Sequence, residues 1–130
     1  VEDSVVLAGE LKAIGIDAID VSSGGFDGGT IEPKASYQVP FSASIRQNAG
    51  IATMAVGLIT RADEAEGILA RGDADLVALA REALDDPNWP LHARLELESS
   101  DAAYSAWPMQ AGYAVKNKDR SLRTGAYSDA

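Results

Sequence analysis

Three short clusters carry the features from which a phosphate site can be built: Ser22 to Gly25, Gly57 to Thr60, and Ala80 with Arg81. The first offers hydroxyls and pliable backbone, the second a glycine whose amide can approach a ligand closely, and the third a fixed guanidinium. A phosphate asks for several convergent N–H donors and a guanidinium able to make paired hydrogen bonds. Each cluster directly follows a short apolar run, and in parallel α/β folds ligands bind at the carboxyl ends of strands. Plainer readings stand beside this one. Gly57 alone would serve as a turn and Arg81 alone as a solvated charge opening a helix. Ser22 and Ser23 would be turn hydroxyls, and Gln38 a polar residue at a helix boundary. What favours phosphate is the joint placement of these clusters at consecutive strand ends.

The elements that must position them follow from glycine punctuation. Gly15, Gly50 and Gly72 each suit a left-handed helix cap, and each is followed by a short apolar run. The first helix follows Glu2 and Asp3 and places Leu7, Leu11 and Ile14 on one face, leading into a strand over Ile16 to Val21. The second begins near Pro40, shows Phe41 and Ile45 to the core, and leads into Ile51 to Val56. The third is expected to start at Thr60, capped by its hydroxyl and answered by Asp63, and to bury Ala65, Ile68 and Leu69 ahead of a strand over Ala74 to Leu79. A further helix has Pro90 near its start and Leu91 and Leu95 inward. Short apolar runs separated by helices predict an α/β fold, with about three parallel strands covered on both faces.

The connection SSGGFDGGTIEPKASYQ is long, and loops of that size are usually functional. Residues 1–97 read as the folded part and residues 98–130 as an irregular, polar tail. Three parallel strands make a thin sheet with two open edges, so the chain reads as incomplete, its missing strands supplied from elsewhere or replaced by self-association.

Composition removes several classes of function. The 130 residues suit one modest domain, 46% apolar and 24% charged, and 20 acidic against 11 basic residues give a formal charge of −9. That balance repels nucleic-acid backbones and anionic membrane surfaces. There is no cysteine, which excludes disulfides and thiolate metal sites and fits a reducing cytoplasm. No segment approaches a membrane span, the opening VEDSVV is too acidic for a signal peptide, and the lack of an initiating methionine is expected of a processed or truncated chain. His92, the only histidine, falls in a helix remote from the strand ends and reads as a surface or packing residue. Trp89 and Trp107 read as packing anchors, and Asp63, Glu64 and Glu66 as a solvated helix face.

Four motifs in order, IDVSSGG, YQVPFSASIR, AVGLIT and ADLVALAREALDDPNWP, resemble the last third of bacterial old yellow enzymes, over about Gly15 to Leu97. The resemblance implies the C-terminal part of a (β/α)8 TIM barrel that holds FMN at its mouth. The flavin would be reduced by NAD(P)H and reoxidised by an activated alkene, a small-molecule enone. It places Ser22 and Gln38 near the FMN phosphate and ribityl chain, gives the Gly57 amide to the phosphate, and makes Arg81 its clamp.

Ala80 stands where the family usually has glycine, its amide still available. In PMQAGYAV, Tyr113 stands where the family often carries an arginine that reaches a neighbouring subunit, which leaves Arg120 or Arg123 as displaced substitutes. The groups that bind the substrate carbonyl and donate the proton belong to the family's N-terminal part, which is not in this sequence. The isolated chain is therefore expected to show little ene-reductase activity. Two other readings stay open. One is a different phosphate-binding barrel, such as a hydroxy-acid oxidase or an aldolase-like protein. The other is a non-catalytic half-barrel that assembles through its sheet edges.

Overall fold

The computed structural model describes residues 1–23 and 32–125. Gly24 and Gly25 of the first cluster, the glycine-rich centre of the long loop and the last five residues lie outside the described residues. The chain forms two compact units, Val1–Asp85 and Asp86–Ala130.

The first unit contains α1 (Glu2–Ala13), β1 (Ala18–Val21), α2 (Val39–Ala49), β2 (Ala52–Ala55), α3 (Ala62–Ala70), β3 (Leu76–Val77) and the short α4 (Arg81–Asp85). The strands are parallel in the order β1-β2-β3, with Val21 opposite Ala55 and Ala55 opposite Val77. This is an α/β architecture, part of a (β/α)8 barrel. The C-caps fall where the glycines predict. Gly50 closes α2 with φ 64°, a left-handed conformation that a side chain would strain.

Crossovers of one hand between strands added in one direction put successive helices on the same side of a sheet. Burial agrees. Val21, Thr53 and Ala55 are buried, while Asp20 and Leu76, one register position off, are exposed and Met54 beside them is half-buried. The expectation of a sheet covered on both faces is therefore corrected for the first unit, where the helices among the described residues cover one face. The core between β1, α1 and α2 is Ala8, Val21, Ile45 and Ile51, with Val5, Ile19, Phe41 and Ala49 packed against it. The Ser42 hydroxyl, fully buried, donates to the Thr53 hydroxyl at 2.9 Å and ties α2 to β2 without stranding a polar atom.

Three local expectations are also corrected. On α1 the buried residue is Ala8, whose small side chain allows close approach to α2, while Leu7 and Ile14 are exposed at 59% and 78%. The third helix starts at Ala62 with Arg61 as its N-cap. Asp63 binds the Arg61 guanidinium and the Glu64 amide instead of completing a box with Thr60. Leu69 at its end is exposed, although Ala65 and Ile68 are buried as expected. The third strand is only Leu76–Val77. Flanking bonds from the Asp75 amide to the Thr53 carbonyl, 2.9 Å, and from the Ala78 amide to the Ala55 carbonyl, 2.8 Å, extend its attachment to β2.

One ion pair anchors this strand. Arg46 on α2 donates to both carboxylate oxygens of Asp75, at 2.9 and 3.0 Å, and to the Gly72 carbonyl at 3.2 Å. The Thr53 amide donates to Asp75 at 3.0 Å. The Arg46 hydrogen bonds, then the Thr53 amide, hold the Asp75 carboxyl below its ordinary value. A carboxyl depressed in the folded state adds stability that is complete above its unfolded pKa of ~3.9 and disappears as pH falls through the folded value. Melting temperature should therefore fall with acidification below about pH 4, and Asp75→Asn should flatten that part of the profile.

The second unit holds α5 (Trp89–Glu98), a 3-10 turn (Asp101–Ala106) and α6 (Met109–Arg123). An irregular tail is expected from residue 98, yet α6 is a regular helix of 15 residues. Its Lys, Arg, Gln and Ala residues are good helix formers, and Pro108 sits at the N-cap, where its lack of an N–H costs nothing. Gly112 lets α6 press on the 3-10 turn, since a Cβ there would lie 2.9 Å from the Tyr104 carbonyl oxygen and 3.0 Å from Trp107 Cβ. Tyr104 donates to Asp119 at 2.8 Å, and Lys116 pairs with Asp101 at 2.7 Å, which closes the unit.

Candidate anion site at adjacent strand ends

Beyond β2 the chain turns through Gly57, φ 117°, and Leu58, φ 55°. Two successive residues of positive φ make a sharp bend, and only the first is a glycine. A Cβ on Gly57 would lie 3.1 Å from Gln38 Cγ and from Tyr37 Cε1, so the start of α2 lies directly against this bend. Beyond β3 the chain enters α4 through Ala80 and Arg81.

These segments border a cleft of about 380 Å³. Tyr37 and Gln38 line it on one side, Gly57 and Leu58 on another, and Ala80 and Arg81 on a third. Four of the five residues singled out in the sequence therefore meet in one cleft: Gln38, Gly57, Ala80 and Arg81. Ser22 does not join them. It is exposed and lines a separate apolar groove with Leu7, Leu11, Ile19 and Phe41.

Among the described residues, no protein acceptor takes the amide N–H of Gly57, Leu58, Ala80 or Arg81. The guanidinium of Arg81 is also without a partner among the described residues, whereas Arg46, Arg61 and Arg71 of the same unit pair with Asp75, Asp63 and Asp73. Unused backbone donors and an unpaired guanidinium around one cleft are the donor set that a phosphate monoester requires. Glu82 and Asp85 also border the cleft and oppose an anion, so binding must come from the directed donors rather than from net positive charge. The residues present fit the phosphate end of FMN.

Gln38 is 5% exposed, and both its side-chain oxygen and its nitrogen hold protein partners. Its side-chain oxygen accepts from the Ser23 amide at the end of β1, and its nitrogen donates to the Tyr37 hydroxyl at 2.8 Å. Ser36, in the left-handed region at φ 56°, donates its hydroxyl to Glu64 on α3. The turn Ser36 to Gln38 is thus fastened at both ends.

Sequence reasoning missed Tyr37, Leu58 and the Glu64 contact. Tyr37 had a signal, since it adjoins Gln38 in the motif YQVPF, but no residue-type preference announces a leucine with positive φ. In the second unit His92 is exposed, its Nδ1 2.6 Å from Asp86 and its ring 5.1 Å from that of Trp107. The hydrogen bond from His92 lowers the Asp86 carboxyl below its ordinary value. Trp107 is buried, an anchor as expected, and Tyr113, Arg120 and Arg123 are exposed on α6.

A three-stranded parallel sheet whose strands alternate with helices, and a cleft where two of those strands end, define part of an α/β barrel. The chain belongs to the NADH:flavin oxidoreductase / NADH oxidase family, whose model matches residues 6–100. It is similar to an NADPH dehydrogenase of Geobacillus sp. (strain WCH70), 50% identical over 103 residues, which covers 79% of this chain and 30% of that protein. An NADPH dehydrogenase of Geobacillus thermodenitrificans is 48% identical over 97 residues, covering 75% of this chain and 28% of the relative. One of Listeria innocua is 49% identical over 88 residues, with 66% and 25% covered. The chain thus spans less than a third of the length of these relatives. Among the described residues no helix is long and apolar enough to cross a membrane.

Proposed function

We propose that this chain is the phosphate-holding part of a cytoplasmic FMN-dependent oxidoreductase that takes reducing equivalents from NADPH and delivers them to an activated alkene. The observation that carries this reading is that Gly57, Leu58, Ala80 and Arg81, whose amides and whose guanidinium have no protein partner among the described residues, all line one cleft. The amides of Gly57, Leu58, Ala80 and Arg81 would hold the phosphate oxygens, and the Arg81 side chain would close over them. FMN, when bound, supplies the hydride relay between nicotinamide and substrate. The chain's own part is to bind and orient, fixing one end of a long cofactor so that its reactive end is presented in one position.

The partner this reading requires is the remainder of the family barrel, which would cover the face bearing Asp20, Met54 and Leu76 and pair with the open edge of β1. Substrate polarisation and proton donation would come from that remainder, so the isolated chain should reduce enones little or not at all.

The test is a titration of the isotopically labelled chain followed by amide resonances. FMN should shift the amides of Gly57, Leu58, Ala80 and Arg81, while riboflavin, which lacks the phosphate, should leave them in place. Equal responses to both flavins, or none to either, would overturn the assignment.

A further inference from the structure

Gln38 lines the cleft, yet both ends of its amide are already used inside the protein. Its oxygen takes the Ser23 amide across 15 residues of chain, and its nitrogen binds the hydroxyl of Tyr37. Exchanging either partner for a ligand would leave the abandoned Ser23 amide or Tyr37 hydroxyl without this bond, so the amide is held in its present place. The carbons of the same side chain lie directly under Gly57, where a Cβ would meet Gln38 Cγ at 3.1 Å and Gln38 Cβ at 3.2 Å. One side chain thus touches the end of β1, the wall residue Tyr37 and the bend after β2. The turn that carries it is fastened on its far side by the Ser36 hydroxyl on Glu64.

We infer that Gln38 is a positioning residue. It braces the end of β1 and Tyr37 against the Gly57 bend and so sets where the Gly57 and Leu58 amides lie, without itself touching the bound phosphate. This inference rests on the phosphate reading of the cleft and adds to it a division of labour. Gly57, Leu58, Ala80 and Arg81 hold the ligand, and Gln38 and Tyr37 hold Gly57 and Leu58.

Gln38→Met keeps the length and volume of the side chain and removes both hydrogen bonds. In the otherwise unchanged chain the Ser23 amide should exchange with solvent about three- to tenfold faster, the range expected for one lost hydrogen bond, while exchange at Ile68 in α3 should be unaltered. FMN should bind about three- to tenfold more weakly, through displaced Gly57 and Leu58 amides. Tyr37→Phe, which removes only the contact with the Gln38 nitrogen, should shift both readings the same way by less, and it serves if Gln38→Met does not fold.

Several results would overturn the inference. One is a side-chain amide resonance of Gln38 that moves with FMN as far as the Gly57 amide does, which would make Gln38 a ligand. Another is unchanged Ser23 exchange, and a third is unchanged FMN affinity. If FMN shifts no cleft amide in the unsubstituted chain, the phosphate reading fails and this role fails with it. Faster Ser23 exchange in Gln38→Met would then still identify the brace as a structural one.

Discussion

Gly57→Ala is expected to be the most damaging single substitution in the cleft. The residue has φ 117°, and holding a side chain in so sparsely populated a region costs about 1–3 kcal/mol. Its Cβ would also lie 3.1 Å from both Gln38 and Tyr37, and overpacking of this kind costs about 1–3 kcal/mol more. Against the ~5–15 kcal/mol that holds a domain folded, the sum is a large fraction. A denaturant titration should show the midpoint falling with an unchanged slope, because the loss is local strain rather than a change in exposed surface. Relief of that strain would push the Ser36 to Gln38 turn away from the bend, so FMN-dependent shifts at Leu58 should vanish together with the stability. A midpoint within error of the unsubstituted chain would show that the bend is not held against α2 as the structure has it.

Arg81→Ala should act on binding alone. The guanidinium has no protein partner among the described residues, so its removal leaves no group stranded, and stability should stay within about 0.5 kcal/mol. Hydrogen bonds to a charged group contribute about 1.5–3 kcal/mol, but Arg81 is exposed and water competes for the phosphate. The lower end of that range applies, a loss of about tenfold in FMN affinity. Riboflavin affinity should not change. Arg81→Lys should restore part of the loss, since an ammonium supplies the charge without the paired geometry. Affinity for FMN that is equal in Arg81→Ala and the unsubstituted chain would remove the guanidinium from the site.

Much of this was legible from residue order alone. Gly57, Ala80 and Arg81 stand where apolar runs end, and that rule was enough to bring them together. The cap glycines located the helix ends, and the four ordered motifs identified the family. What was not legible has a common cause. The runs Ile16 to Val21 and Ile51 to Val56 are rich in apolar residues, the composition of strands in a barrel that buries both of their faces. In the first unit, helices among the described residues lie on one of those faces. Leu7 and Ile14 are likewise apolar by sequence and exposed in the structure. The internal contacts of Gln38 were hidden for a different reason. A glutamine before a helix is an ordinary boundary residue, and only the backbone path shows its amide reaching the end of a strand 15 residues earlier in the chain. The third cause is local chemistry that sequence preference hides, as at Leu58, or that helix formers supply in a largely polar stretch, as in α6.

The sheet face that carries Asp20 has one more consequence. Asp20 sits on it in register with Met54 and Leu76, so a carboxylate occupies what would otherwise be a flat apolar strip. Stacking two such faces against each other would strip water from two like charges at once, a penalty that grows as the contact becomes drier. In a barrel with a wet mouth the same carboxylate stays solvated at little cost. One acidic side chain therefore acts as a gatekeeper: it steers the chain away from face-to-face aggregation while leaving the polar closure of a barrel open to it.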